Sequence, residues 1–135
     1  MGSSPVDDRL APITLDDVRG ALDEAVRLGH PLTEVGFTGG EPFLNKALPG
    51  ILDFVLGRGL RALVLSNGLQ PMTRRADALR ARHGDRLAIR VSLDHHTAAR
   101  HDAARSHGAF QGALAGLCWL AAMGSPTRRR PRGRR

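Results

Sequence analysis

The sequence predicts an α/β fold in which about three parallel strands are joined by four helices. Apolar runs of strand length alternate with amphipathic helical patterns along the 135 residues, as they do in domains built from β/α units. The strands begin roughly 26 residues apart, a spacing that accommodates a crossover helix between parallel neighbours. A sheet of three strands leaves two open edges, so a domain of this type normally continues on both sides.

The first helix and strand occupy the segment before residue 40. Thr14 is a predicted N-cap, because Asp17 follows three residues later as in a capping box. Gly29 is expected to end this helix, and residues 35–38 form a short strand. The apolar positions at helical spacing are Val18, Leu22 and Val26.

A second helix is expected from about Asn45 to Gly57, followed by a strand at residues 62–65. The inward face of this helix is predicted to carry Leu48, Ile51, Leu52 and Val55. The strand is an unbroken apolar run, which indicates burial on both faces. Thr73 is the predicted cap of a third helix that continues through Ala76 and Leu79 and ends near Gly84.

The last two elements are a strand from Leu87 to Leu93 and a helix from about Phe110 to Met123. The helix is predicted to place Ala113, Leu114, Leu117 and Ala121 inward. Cys118 is expected in the core and Trp119 in a half-buried position. We expect residues 14–124 to form the folded domain, and residues 1–13 and 125–135 to be disordered.

Composition excludes several classes of protein. One cysteine permits neither an internal disulfide framework nor a four-thiolate metal site. No apolar stretch is long enough to span a bilayer, and the N-terminus lacks the plan of a signal peptide, so a cytoplasmic protein is expected.

The net charge of +7 belongs to the C-terminal tail, because six arginines lie within residues 128–135. The other basic residues almost balance the 13 acidic ones. Such a tail could bind phosphate groups of nucleic acid or of a membrane surface. No aromatic or further basic element supports nucleic-acid binding, and we favour a frameshifted reading of a GC-rich gene as the origin of the tail.

Small and polar residues follow all three predicted strands. They are Gly39-Gly40-Glu41, Ser66-Asn67-Gly68 and Ser92-Leu93-Asp94. The carboxyl ends of parallel strands meet at one edge of the sheet, where α/β folds bind their ligands. The pattern therefore predicts a polar site at this edge, although Ser66-Asn67-Gly68 could equally be a plain turn and Glu41 a helix-capping carboxylate.

The ordered series GGEPFLN, LSNG and RVSLDH resembles the ends of the second to fourth strands of radical S-adenosylmethionine (radical SAM) enzymes. The stretch HDAARSHGAF, residues 101–110, is similar to the segment that follows the fourth strand in that superfamily, although RSHG stands where RG is common. The resemblance covers about residues 14–124. It implies that the predicted sheet is part of a (β/α) barrel.

The resemblance also implies a cofactor and the residues that hold it. Gly39, Gly40 and Glu41 match the positions that receive the amino group of the methionine moiety. The positions matching contacts to ribose or to the methionine carboxylate are Ser66 or Asn67, then Ser92 and Asp94. The implied reaction is reductive cleavage of S-adenosylmethionine by a [4Fe–4S] cluster, which yields a 5′-deoxyadenosyl radical that acts on an unknown substrate.

The cysteine loop of the family, CxxxCxxC, is missing from this chain. It should precede the first helix, yet residues 1–13 contain no cysteine, and thiolates are the usual cluster ligands. We therefore expect a truncated chain that does not bind the cluster alone. The alternative is a non-catalytic module that completes a split enzyme, in which a separate polypeptide supplies the cysteines. The catalytic residues stay unassigned.

A histidine-rich loop suggests a second, weaker site. Its candidate zinc ligands would be His95, His96, His101, Asp102 and His107. They lack the spacing of a zinc motif, so solvated side chains are the expected reading and no metal site is predicted.

Overall fold

The computed structural model describes residues 11–93, 98, 99, 102 and 108–122. Within them lie four helices and three strands, as the sequence predicts. Their order is α1 (Leu15–Arg27), β1 (Glu34–Phe37), α2 (Leu48–Gly57), β2 (Arg61–Ser66), α3 (Gln70–His83), β3 (Leu87–Val91) and α4 (Ala109–Ala122). Short 3₁₀ helices precede α2 at Pro42–Leu44 and follow α3 at Gly84–Arg86. In this part of the chain, no helix has the length and apolar character needed to cross a membrane.

The three strands form one parallel sheet in the order β1-β2-β3, which confirms the predicted topology. Phe37 pairs with Val64, and Val64 pairs with Ile89. The described sheet is open, with β1 and β3 at its edges. The α/β class is thus confirmed, whereas membership of a barrel stays a prediction. Strand β3 ends at Val91, two residues earlier than expected.

One face of this sheet carries the core. Phe37, Ala62, Val64 and Leu87 share that face and join the buried residues of the helices in one cluster. Leu63 and Leu65 point to the opposite face and are only half-buried. The prediction that β2 is buried on both faces was therefore wrong, because no described helix covers the second face.

Helix α1 begins at the predicted capping box. The Thr14 hydroxyl accepts from the Asp17 amide at 3.2 Å, and the Asp17 carboxylate accepts from the Thr14 amide at 2.8 Å. Val18 and Leu22 are buried, but Val26 is 64% exposed. Residues four apart advance by about 40° around a helix, which carries Val26 to the rim of the apolar stripe.

Helices α2 and α3 differ in how well the sequence predicts them. The four expected inward residues of α2 are all buried. Helix α3 begins at Gln70, so Thr73 lies within it and the prediction that Thr73 caps it was wrong. Pro71 in the first turn suits an earlier start. The helix ends at Gly84, whose φ of +58° lies in the left-handed region.

The inward face of α4 was predicted only in part. Ala113 is buried, Leu114 and Leu117 are half-buried, and Ala121 is exposed. The buried residues are Ala109, Ala113, Gly116 and Leu120. A Cβ on Gly116 would lie 2.2 Å from the Gly68 carbonyl oxygen, so the helix approaches too closely for a larger residue. Cys118 is exposed, which corrects its expected place in the core, because it lies two positions from Gly116 and Leu120 and so on another side of the helix. Trp119 is half-buried, as predicted.

Candidate active-site edge

The Gly39-Gly40 turn lies directly after β1 and brings Glu41 back over the end of β2. Gly39 has a φ of +89° and Gly40 a φ of +54°, conformations that residues with a Cβ rarely adopt. An ideal Cβ on either glycine would meet no atom of the described residues within 4 Å. Backbone conformation therefore requires these glycines, and the space beside them is open.

The Glu41 carboxylate is held by three neighbouring groups. Oε1 accepts from the Phe43 amide at 3.2 Å, at the start of the 3₁₀ helix. The Ser66 hydroxyl lies 3.0 Å from both carboxylate oxygens, and the Asn67 amide donates to Oε2 at 2.7 Å. The glutamate therefore joins the end of β1 to the end of β2.

Ser66 and Asn67 take different places in this arrangement. Ser66 is 2% exposed, and its hydroxyl accepts from the Gly68 amide at 3.1 Å. Asn67 is half-buried, and its Oδ1 accepts from the Leu69 amide at 3.0 Å, which forms a turn of the Asx type. The Asn67 side-chain nitrogen makes no hydrogen bond within the described part of the chain and is left to donate.

Ser92 reaches the same edge through the backbone. Its amide donates to the Ser66 carbonyl at 2.9 Å, continuing the pairing of β3 with β2 beyond the strand end. Ser92 is half-buried, and its hydroxyl makes no hydrogen bond among the described residues. Asp94 lies outside the described residues, so its predicted role stays a prediction.

Among the described residues, the donors to the Glu41 carboxylate are all neutral. No lysine, arginine or histidine of the described ranges forms an ion pair with it. The residue is partly buried, and a partly buried carboxylate favours a neighbouring positive charge. The edge is therefore suited to a ligand that presents a cationic hydrogen-bond donor.

Asp102 has a function in the structure that the sequence did not reveal. Its carboxylate accepts from the amides of Gly108 and Phe110, each at 2.8 Å, and so holds the first turn of α4. An aspartate six residues before a Gly–apolar helix start was the available signal. His95, His96, His101 and His107 lie outside the described residues, within which no cluster of three potential metal ligands occurs.

An open groove of about 780 Å³ lies beside the edge, between α3 and α4. Leu69, Pro71 and Trp119 make it largely apolar, and Arg74 lies at its lining. Sequence reasoning did not predict it, because it depends on how α4 packs on the Gly68 turn.

Comparison with known proteins gives relatives for most of the chain. No protein-family model matches it. It is 29% identical over 106 residues to the AdoMet-dependent heme synthase of Nitratidesulfovibrio vulgaris and 32% identical over 106 residues to that of Methanosarcina barkeri. It is 28% identical over 105 residues to the Fe-coproporphyrin III synthase of Methanosarcina barkeri.

Each of these alignments covers 78% of this chain. The chain spans less than a third of the length of the curated relatives it matches, between 25% and 29%. These relatives are radical SAM enzymes, and the resemblance seen in GGEPFLN, LSNG and RVSLDH agrees with them. The chain is thus a homologue of radical SAM enzymes and belongs with that superfamily.

Proposed function

We propose that this chain forms part of a radical SAM core and that its Glu41 edge receives the methionine portion of S-adenosylmethionine. The observation that carries the proposal is the position of the Glu41 carboxylate, fixed at the end of β2 by Ser66 and Asn67 and without a cationic partner in the described ranges. The methionine portion carries an ammonium group, which would supply the positive charge that the Glu41 carboxylate lacks.

Other groups of the edge can hold the rest of the ligand. The Asn67 side-chain nitrogen can donate to a carboxylate or ribose oxygen, and the Ser92 hydroxyl can donate or accept. The open space beside Gly39 and Gly40 leaves their backbone accessible to a ligand atom. These groups support the proposal that Gly39, Gly40, Glu41, Asn67 and Ser92 bind the cofactor.

The residues of this chain do not fit a [4Fe–4S] cluster. Its one cysteine, Cys118, is exposed on α4, and a single thiolate does not make the usual ligand set. We therefore assign reductive cleavage of S-adenosylmethionine only to an assembly in which a further segment or a separate polypeptide supplies the cysteines. In that assembly, the sheet of this chain would form part of a barrel.

The names of the relatives suggest a substrate class for the complete enzyme. They are a heme synthase and an Fe-coproporphyrin III synthase, so an iron porphyrin is the first class to test. Titrating the cluster-loaded assembly with Fe-coproporphyrin III and following its Soret band tests this part. An unchanged Soret band at saturating concentration would exclude iron porphyrins as the substrate class.

The binding proposal is tested by calorimetric titration of the unaltered protein with S-adenosylmethionine and with 5′-methylthioadenosine, which lacks the amino-acid portion. A carboxylate–ammonium hydrogen bond contributes about 1.5–3 kcal/mol, so we expect S-adenosylmethionine to bind about tenfold to hundredfold more tightly. Equal affinities, or no binding of S-adenosylmethionine, would contradict the proposal.

The cluster assignment has a separate test. After anaerobic incubation with iron and sulfide, we expect no [4Fe–4S] absorbance from this chain alone. We expect that absorbance once a polypeptide with a CxxxCxxC loop is added. A stable cluster spectrum from the chain alone would overturn the assignment.

A further inference from the structure

We propose that Ser66 is a positioning residue that orients the Glu41 carboxylate toward the ligand, and that α4 fixes Ser66 through Gly68. The inference rests on the proposed function for its ligand but concerns a residue that does not face the open space. Ser66 is 2% exposed and is the buried polar residue of the described core. Buried hydroxyls require hydrogen-bond partners, and those of Ser66 determine its role.

The direction of the hydrogen bonds around Ser66 is fixed by chemistry. The Gly68 amide can only donate, so at 3.1 Å it occupies a lone pair of the Ser66 oxygen. The single hydroxyl proton is then directed to Glu41, whose carboxylate oxygens both lie at 3.0 Å. The result is a hydrogen-bond relay, that is, a chain of hydrogen bonds from the Gly68 amide through the Ser66 hydroxyl to the Glu41 carboxylate.

The backbone of Ser66 is held on two sides. Within β2, Ser66 pairs with Val91 of β3. Its carbonyl also accepts from the Ser92 amide at 2.9 Å. The sheet therefore fixes the position of the Ser66 hydroxyl. Glu41 lies in a turn after β1, outside the strand pairing.

Helix α4 holds the other end of the relay. Gly68 has a φ of +78°, and a Cβ built on it would lie 2.7 Å from Val91 Cγ1. A Cβ on Gly116 would lie 2.2 Å from the Gly68 carbonyl oxygen. Gly68 is thus enclosed between the sheet and α4. A displacement of α4 would therefore move Gly68, and with it the Ser66 hydroxyl and the Glu41 carboxylate that it holds.

Removing the hydroxyl should change ligand recognition selectively. In Ser66→Ala, the carboxylate keeps the Phe43 and Asn67 amides but loses the donor that bridges both its oxygens. It can then turn away from the ammonium position. We expect the affinity for S-adenosylmethionine to fall about tenfold, as for one hydrogen bond to a charged group, while the affinity for 5′-methylthioadenosine stays within twofold.

The experiment measures both affinities for the unaltered chain and for Ser66→Ala, Ser66→Thr and Thr33→Ala. Ser66→Thr retains the hydroxyl and should therefore keep the preference for S-adenosylmethionine over 5′-methylthioadenosine. Thr33→Ala removes an exposed hydroxyl before β1, away from this edge, and should change neither affinity. Equal losses for both ligands in Ser66→Ala would indicate a general effect on the fold and would overturn the positioning role.

A second readout does not need the ligand. In ¹H–¹⁵N spectra of the ligand-free protein, Ser66→Ala should shift the amide signal of Phe43, which is distant from Ser66 in sequence but bound to the same carboxylate. This shift should be absent when Glu41→Ala, which removes the acceptor, is already present. If the unaltered chain fails to bind S-adenosylmethionine, the proposed function fails, but these spectra still decide whether Ser66 orients Glu41. An unshifted Phe43 signal would refute the positioning role, whatever the ligand result.

Discussion

The imidazole Nε2 of His83 lies 2.7 Å from Oδ1 of Asp53, and Arg82 donates to the other oxygen of that carboxylate at 2.9 Å. Asp53 belongs to α2, whereas both partners lie in the last turn of α3. The His83 side chain is 8% exposed and that of Asp53 is 41% exposed. One carboxylate therefore joins two helices that pack on the same face of the sheet.

We expect Asp53→Ala to lower the free energy of unfolding by about 1–2 kcal/mol, because it leaves a buried imidazole without its partner. Chemical denaturation followed by circular dichroism measures the change. Asp85→Ala, in the turn after α3, serves as the control and should change stability by less than about 0.5 kcal/mol. Equal effects of the two substitutions would show that the contact between the helices contributes nothing.

Gly116→Ala and Gly20→Ala should have opposite effects on stability. A Cβ on Gly116 would meet a backbone oxygen at 2.2 Å, whereas one on Gly20, in α1, would meet no described atom within 4 Å. We expect a loss of about 1–3 kcal/mol at Gly116 from overpacking and a gain of up to about 1 kcal/mol at Gly20 from helix propensity. Thermal unfolding of both variants measures this, and a stabilised Gly116→Ala would contradict the described packing of α4.

Glu41→Gln should weaken the binding of S-adenosylmethionine about tenfold to hundredfold, because it removes the charge that we propose pairs with the ammonium group. The matched control is Glu34→Gln, an exposed glutamate at the other end of β1, which should leave the affinity unchanged. Calorimetric titration measures both. If the two variants bind alike, Glu41 does not contact the ligand.

The capping box of α1 should make stability depend on acidic pH. Hydrogen bonds from the Thr14 amide and hydroxyl hold the pKa of Asp17 below its ordinary value of 3.8. A lowered pKa stabilises the fold above the ordinary value, and this stabilisation is lost as the pH falls through the lowered pKa. Asp17→Asn should therefore reduce the melting temperature at neutral pH, and the difference should shrink below about pH 3.8.

Melting curves recorded from neutral to acidic pH test this expectation. Thr14→Val removes one of the two donors to the Asp17 carboxylate, so the pH-dependent part of its effect should be smaller. It should also lower the melting temperature at every pH, because the N-cap acceptor for the Asp17 amide is lost. A difference between the unaltered chain and Asp17→Asn that is constant with pH would show that the hydrogen bonds do not perturb this carboxyl group.

The exposed thiol of Cys118 should react with a disulfide reagent in the native protein. Exposed cysteines are accessible to such reagents, whereas buried ones are protected. We expect one thiol equivalent to be labelled without denaturant, at a rate close to that of the unfolded chain. Labelling that requires unfolding would contradict the described orientation of α4.

Local patterns in the sequence determined the helices and strands, because each pattern acts over a few residues. The Thr14–Asp17 capping box and the inward face of α2 follow from residue spacing alone. The sequence also predicted which residues lie near each other at the site. Residues that follow parallel strands share one edge of the sheet, so Glu41 and Asn67 were expected to be neighbours. The hydrogen bond between them agrees with that expectation.

Tertiary packing decided what spacing could not. The buried stripe of α4 is set by how closely Gly116 approaches Gly68, a distance that hydrophobicity does not encode, and Cys118 is consequently exposed. The second face of β2 is half-exposed because burial depends on what covers a strand and not on its composition. Likewise, the sequence placed Ser66 at the edge, but only the fold turned its hydroxyl inward to Glu41 and left Asn67 half-buried.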